Sequence, residues 1–223
     1  MKKLIYILLF VLPIAACNKD GANPRKYTNS LLAGNYSIEE YTSDHHGINY
    51  ITNVDINTTT HILGATGNIN ETWYDGGSSI YSTDQSINIL LSSMVISENG
   101  TWEMTIEYYY IQEGGITPYN VKTKKSGTWS FVGKTKGEFE KNERIIISVL
   151  RDYYWEEAAL QYEGNYSDGQ NSKVFVIKEL TSSNLHLLGE WTNEGDGLFF
   201  PILYQTNYDP FRSSEKLELK LAK

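Results

Sequence analysis

The sequence lacks a pair of cysteines, a basic charge balance and an apolar run long enough to cross a membrane. Cys17 is the only cysteine in the 223 residues, which excludes a disulfide within the chain. The formal net charge is -8, and because nucleic-acid phosphates favour a basic surface, nucleic acid is not an expected partner. The longest apolar run ends at Ala16 and is shorter than the roughly 20 residues of a membrane-spanning helix.

Motifs of catalytic and metal sites are absent as well. There is no Gly-x-Ser-x-Gly elbow, phosphate-binding loop or Asp-x-Asp calcium loop, and the ligand spacings of zinc sites are missing. His45 and His46 lie in a turn-like string, and His186, between two leucines, is predicted to point outward from a strand. Glu156 and Glu157 could in principle serve a glycosidase, but an acidic solvated loop is the favoured interpretation. The sequence therefore predicts a protein that is not an enzyme and uses no cofactor or metal.

The N-terminus has the pattern of a bacterial lipoprotein signal. Lys2 and Lys3 precede the apolar run, and the string Ile14-Ala15-Ala16-Cys17 resembles the lipobox, in which an aliphatic residue and small residues precede a lipidated cysteine. This resemblance implies cleavage before Cys17 and acylation, palmitate included, so that several acyl chains hold the protein in a membrane. Asn18 after the cysteine resembles the signal for the outer membrane, with the domain at the periplasmic face or the cell surface.

The lipobox divides the chain into three predicted parts. Residues 1–16 are the signal peptide, residues 17–30 a lipidated, flexible tether, and residues 31–223 a single folded domain. Removing the signal peptide takes away two lysines and no acid, which changes the formal charge from -8 to -10.

Period-two patterns predict an all-β domain. The clearest strand covers residues 101–110, where Trp102 and Tyr108 share one face and Glu103 and Glu107 the other. The other predicted strands are residues 35–42, 50–56, 86–96, 121–132, 144–153, 173–180, 184–191, 198–205 and 217–221, and helical turns are predicted within residues 58–67 and 156–162. Tight links such as Asn99-Gly100 make neighbouring strands antiparallel. Because closure removes exposed edges, an up-and-down β-barrel is favoured, with a two-sheet sandwich as the alternative.

Glycine followed one residue later by an aromatic ring recurs at strand starts. The pairs are Gly34 with Tyr36, Gly100 with Trp102, Gly127 with Trp129, Gly164 with Tyr166 and Gly189 with Trp191. With the closing hairpin of residues 174–187, these pairs resemble the lipocalin-like lipoproteins of Gram-negative bacteria, over about residues 31–223. Tyr36 stands where the lipocalin pattern has tryptophan. The resemblance implies a barrel that binds a small molecule or a macromolecule at its mouth.

Aromatic residues are the predicted ligand contacts: Tyr36, Trp102, Tyr108, Tyr110 and Trp129. The alternative is that these aromatic rings contact no ligand and fill the interior of the barrel, as side chains do in barrels of this size. Two functions follow from these alternatives. The first is capture of a small apolar or sugar ligand, which needs an internal space, and the second is a protein-protein interaction module with a solid core.

Overall fold

The computed structural model of the chain describes residues 27–49, 54–111, 115, 117–132, 142–157, 161–167, 171–192 and 211–223. Within these residues the chain is almost entirely β-structure, with one short helix, α1, at Asn29–Leu32. The strands are β1 Gly34–Asn49, β2 Val54–Leu63, β3 Thr66–Asp75, β4 Ser78–Ile96, β5 Thr101–Ile111, β6 Pro118–Val132, β7 Arg144–Glu156, β8 Gln161–Asn165, β9 Ser172–Leu180, β10 Asn184–Thr192 and β11 Phe211–Ala222.

Antiparallel ladders connect eight of these strands into a closed ring. The order around the ring is β1, β11, β10, β9, β7, β6, β5 and β4, and a short ladder between β4 and β1 completes it. In that closing ladder Tyr36 of β1 lies opposite Met94 of β4. The predicted antiparallel up-and-down barrel is therefore confirmed, in preference to the two-sheet sandwich.

The hairpin of β2 and β3 widens the barrel at one end. From Glu40 onward β1 pairs with β2, and the first half of β4 pairs with β3, so two further strands enter the ring there. We call this end, which contains Asn49 and Ser78, the wide end, and the opposite end, which contains Gly34 and Ile96, the narrow end. β8 lies beside the wide-end half of β7.

Alternating side chains and a glycine turn produce the hairpin of β4 and β5. Along β5, Trp102 and Tyr108 are buried in the barrel while Glu103 is exposed on its outer face. The chain turns at Gly100, whose φ of 88° is in the left-handed region that favours glycine. Asn99 Oδ1 accepts a hydrogen bond from the Thr101 N–H over 3.1 Å. The hairpin predicted from the Asn-Gly pair is thus confirmed.

Residues before β1 cap the narrow end. Tyr27 and Leu32 belong to the hydrophobic core, and Leu32 is completely buried. The Tyr27 N–H donates to Glu143 Oε2 over 3.3 Å, and the Tyr36 hydroxyl donates to the Leu32 carbonyl over 2.6 Å. The Lys223 ammonium group donates to backbone carbonyls on either side of Leu32. The described packing therefore includes residues from the end of the predicted tether.

The predictions from sequence are wrong around β2 and β3. The helical turn predicted within residues 58–67 is wrong, because these residues end β2 and begin β3, and the string around His45 lies within β1 rather than in a turn. The turn predicted within residues 156–162 is replaced by the end of β7 and the start of β8, as far as these residues are described. The threonines at positions 58–60 favour strands, and pairing with both neighbours outweighs their local polarity. The strand predicted at residues 198–205 lies outside the described residues.

Candidate functional site

The five aromatic residues predicted to contact a ligand fall into two groups. Tyr36, Trp102 and Trp129 fill the narrow half of the barrel, where each hydroxyl or indole N–H donates to a backbone carbonyl, over 2.6, 3.0 and 3.0 Å. Tyr108 and Tyr110 lie on β5 nearer the wide end, next to each other on the inward face. The structure therefore does not bring the five residues together in one place.

A row of polar side chains crosses the wide half of the barrel interior. We call it the polar row, and its members, with their exposed fractions, are Lys173 (3%), Glu215 (3%), His45 (8%), Thr58 (5%) and Glu71 (0%). Strand register places four of them side by side, since His45 lies opposite both Glu215 and Thr58, and Thr58 lies opposite Glu71. Lys173 is close enough to His45 for its charge to affect the pKa of the imidazole. Ionisable groups buried so deeply occur in proteins when they are paired or serve a function.

Hydrogen bonds hold the two carboxylates of the polar row. Glu215 Oε1 accepts from the Ser43 hydroxyl over 2.7 Å, across strands β1 and β11. Glu71 accepts from the Trp73 indole N–H over 2.7 Å and from the Thr58 hydroxyl over 3.5 Å. Burial raises the pKa of Glu71 above its usual value, and the two hydrogen bonds oppose that rise.

His45 differs from the other members because neither of its ring nitrogens has a hydrogen-bond partner. Burial, with the nearby positive charges of His46 and Lys173, lowers the pKa of His45 from 6.5 to about 4. The imidazole is therefore neutral at pH 7 and offers one donor and one acceptor. A buried polar group without a partner costs about 1–3 kcal/mol, so His45 is the strongest candidate in the polar row for contact with a further polar molecule.

The stability of the barrel should depend on pH through His45. Because the pKa of His45 is about 4 in the folded chain and 6.5 as its ordinary value, the unfolded chain binds a proton first as the pH falls. We expect the free energy of unfolding to lose on the order of 2 kcal/mol from this residue between pH 7 and pH 4.5. Glu71 acts in the opposite direction, since its raised pKa lets the folded chain take up a proton first.

Comparison of three proteins isolates this contribution: the wild type, His45→Gln and His46→Gln. His46 is the matched control, because it is the next residue, it is exposed on the outer face, and its Nδ1 lies 2.5 Å from Asn57 Oδ1. Because burial is the largest cause of the lowered pKa and His46 contributes less, urea unfolding at pH 7 and pH 4.5 should give a slightly smaller loss for His46→Gln than for the wild type and by far the smallest loss for His45→Gln. Equal losses in all three proteins would show that His45 is not buried as a neutral group.

A second cluster surrounds Glu156 at the wide end. The Tyr110 hydroxyl donates to Glu156 Oε1, and the Tyr154 hydroxyl donates to Oε2 over 2.9 Å. Tyr119 stacks on Tyr110 with ring centroids 5.6 Å apart. Burial raises the pKa of Tyr108 and of Tyr154 well above the usual value, and the negative charge of Glu156 adds to both shifts. The four tyrosines and Glu156 form what we call the tyrosine cluster.

The outer wall of the barrel carries a groove of about 630 Å³. Its apolar floor contains Val174, Val176 and Leu188, which face outward from β9 and β10. Charged residues of both signs line its edges: Asp44, Arg144, Lys178, Glu190, Lys216 and Glu218. The groove is therefore an amphipathic feature of the outer surface, separate from the inward-facing polar row.

Reasoning from sequence missed the polar row and the role of Glu156. His45 has the period-two relation to Tyr41 and Ser43 that places all three on the inward face of β1, and this signal was available in the sequence. Glu156 likewise lies two residues after Tyr154 on β7, so the two side chains are on the same face of the strand. Glu157 does lie in the exposed turn, where its carboxylate accepts from the Asn120 side chain over 2.6 Å. His186 faces outward as predicted, 2.8 Å from Glu218.

The described part of the chain contains neither a metal-binding cluster nor a membrane-spanning helix. Among these residues, no three His, Cys, Asp or Glu side chains are placed to hold a metal ion. No helix formed by the described residues is long and apolar enough to cross a membrane.

The sequence and the fold were compared with known proteins. No family model, no curated protein and no solved structure matches this chain.

Proposed function

We propose that this protein is a membrane-anchored bacterial lipoprotein whose barrel binds a small, hydroxyl-rich ligand of the sugar class at the polar row. The observation that carries the proposal is the pair of His45 ring nitrogens, which face the barrel interior without a hydrogen-bond partner. A site with several donors and acceptors suits a polyhydroxylated ligand better than a purely apolar one, because an apolar ligand would leave these groups unsatisfied.

The surrounding residues support the same class of ligand. The neutral imidazole of His45 supplies one donor and one acceptor, Lys173 supplies donors, and the carboxylates of Glu71 and Glu215 supply acceptors. All four groups are in the barrel interior and nearly fully buried. A protein that acted only through its outer surface would gain stability from apolar side chains at these positions.

The membrane anchor rests on the sequence. The string Ile14-Ala15-Ala16-Cys17 favours acylation of Cys17, and the outer membrane is the proposed location. Cys17 itself lies outside the described residues. The first core residue of the described part of the chain is Tyr27.

One experiment tests both parts of the proposal. The full chain carrying Cys17→Ser should be recovered in the soluble envelope fraction, whereas the wild type stays with membranes, because the acyl chains are lost. Native mass spectrometry and calorimetry of the soluble Cys17→Ser protein against mono- and oligosaccharides, with fatty acids as apolar comparators, should detect a bound sugar. In this background His45→Leu should weaken binding roughly tenfold or more, because a hydrogen-bonding group is removed.

His46→Leu is the control for the binding experiment, since His46 occupies the next position on the opposite face of β1. His45→Leu should also be at least as stable as the wild type, because it removes an unpartnered polar group from the interior. Loss of binding can therefore be separated from loss of fold. Absence of binding across the panel, or full affinity in His45→Leu, would contradict the proposal.

A second candidate function is a protein-protein interaction module. The outer groove favours it, because its exposed Val174 and the charges at its edges could contact an extended segment of another protein. A protein that binds no ligand of the panel, and loses nothing on mutation of the polar row, would fit this candidate instead.

A further inference from the structure

Within the described part of the chain, the carboxylate of the tyrosine cluster has no positively charged partner. β6 has three lysines near this end: Lys122 is paired with Glu107 of β5, Lys125 is paired with Asp152 of β7, and the side chain of Lys124 is exposed on the outer face. The residue opposite Glu156 across the β6–β7 ladder is Val121, which has no charge to offer. Among the described residues, Glu156 has hydrogen bonds from two tyrosines and no ion pair.

The hydrogen bonds fix the carboxylate and leave part of its accepting capacity unused. Each oxygen of Glu156 accepts one phenolic O–H, from Tyr110 on one side and Tyr154 on the other. A carboxylate has about four accepting positions, so positions remain on both oxygens. Glu156, Tyr110 and Tyr154 are all partly exposed.

Four tyrosine rings lie around the carboxylate, two of them in contact with it through their hydroxyl groups. Tyr110 and Tyr119 stack as a pair, and Tyr108 lies beside Tyr110 on β5 as a fully buried floor. The face of a phenol ring carries partial negative charge and attracts cations within about 6 Å. A carboxylate combined with several such rings is an arrangement that recognises an organic ammonium group. The net charge of -8 further favours the approach of cations.

We propose that Glu156, together with Tyr108, Tyr110, Tyr119 and Tyr154, binds the organic ammonium group of a small molecule at the wide end of the barrel. The ammonium group contacts the free positions of the carboxylate, and its carbon substituents lie against the tyrosine rings. This site uses β5, β6 and β7, whereas the polar row uses β1, β2, β3, β9 and β11, so the two proposals stand on different residues.

Choline, phenethylamine and the neutral carbon isostere of choline, dimethylbutanol, are the probes. The isostere has the shape of choline without its charge, so the comparison measures recognition of the charge itself. Calorimetric titration of the full-length Cys17→Ser protein should detect binding of at least one of the two amines, and the isostere should bind roughly tenfold more weakly or not at all. Glu156→Gln should weaken amine binding to a similar extent, while it keeps an acceptor for the tyrosine hydroxyls.

Glu157→Gln is the matched control, because Glu157 is the adjacent carboxylate and is occupied by Asn120 outside the cluster. It should leave amine affinity unchanged, and Tyr119→Leu should lower it by removing one ring of the stacked pair. Far-ultraviolet circular dichroism confirms that each variant is folded.

Three results would overturn the ammonium site: neither amine binds, the neutral isostere binds as well as choline, or folded Glu156→Gln binds the amines like the wild type. Binding of glucose that requires Glu156, without amine binding, would also overturn it and would identify a sugar subsite. Amine binding that is lost in His45→Leu and kept in Glu156→Gln would reject this site while supporting the polar row as the ligand site.

Discussion

Alanine at position 127 is expected to destabilise the barrel by roughly 3–5 kcal/mol, a large effect for the addition of one methyl group. A methyl carbon on Gly127 would lie 1.9 Å from the Ser148 carbonyl oxygen and 3.0 Å from the Leu150 nitrogen. Both atoms belong to the backbone of β7, so a side-chain rotation cannot relieve the contact. The two strands would have to separate at the β-bulge between Ser126 and Gly127, where their register already shifts.

Urea unfolding of Gly127→Ala, Gly64→Ala and the wild type tests this expectation. Gly64 is a useful comparison because a methyl group there meets nothing within 4 Å, although its φ of 59° disfavours alanine. Gly64→Ala should therefore cost only about 1 kcal/mol. Similar small costs for both variants would mean that β6 and β7 are not in close contact at Gly127.

Removal of one member of the buried ion pair between Lys125 and Asp152 is expected to cost roughly 3–5 kcal/mol. The Lys125 ammonium nitrogen lies 2.6 Å from Asp152 Oδ2, and the side chains are only 6% and 12% exposed. Lys125→Met would leave the Asp152 carboxylate in the barrel interior without its counterion. The loss measures the penalty of an unpaired buried charge rather than the net contribution of the pair.

The double variant Lys125→Met with Asp152→Leu distinguishes these two quantities, because it removes both charges and keeps similar side-chain volume. We expect it to recover most of the lost stability. The exposed pair of Lys122 and Glu107, on the outer face of the same sheet region, supplies the control. Lys122→Met should change the free energy of unfolding by about 0–1 kcal/mol. Equal costs for Lys122→Met and Lys125→Met would contradict the burial of the inner pair.

Strands were predicted correctly where residues close in sequence specify them, and were missed where pairing with distant strands specifies them. β5 alternates between apolar and polar residues, with the apolar ones from Trp102 to Tyr108 buried, and the Asn99-Gly100 turn fixes its hairpin, so both were predicted from neighbouring residues. The hairpin of β2 and β3 was not predicted. Its threonines and asparagines carry weak hydrophobic contrast, and its strands are specified by pairing with β1 and β4 rather than by their own composition.

The candidate sites were harder to predict for a related reason. Glu215 meets Ser43 from 172 positions away, and Glu156 meets Tyr110 from 46 positions away, so only the closed ring brings these residues together. The aromatic residues at strand starts were recognisable in the sequence, but whether they fill the barrel or face its mouth depends on which end of the ring they occupy. Tyr36 and Trp102 occupy the narrow half, whereas Tyr110 lies near the wide end.

Under the proposed acylation of Cys17, the cap at the narrow end limits how far that end of the barrel can lie from the membrane. Tyr27 is fixed there by its buried ring and its bond to Glu143, and residues 18–26 alone would join it to an acylated Cys17. A fully stretched connection of that length reaches about 35 Å at most. The narrow end of the barrel would then be held near the bilayer. The end that is widened by β2 and β3 would lie farther from it, on the side of the aqueous compartment.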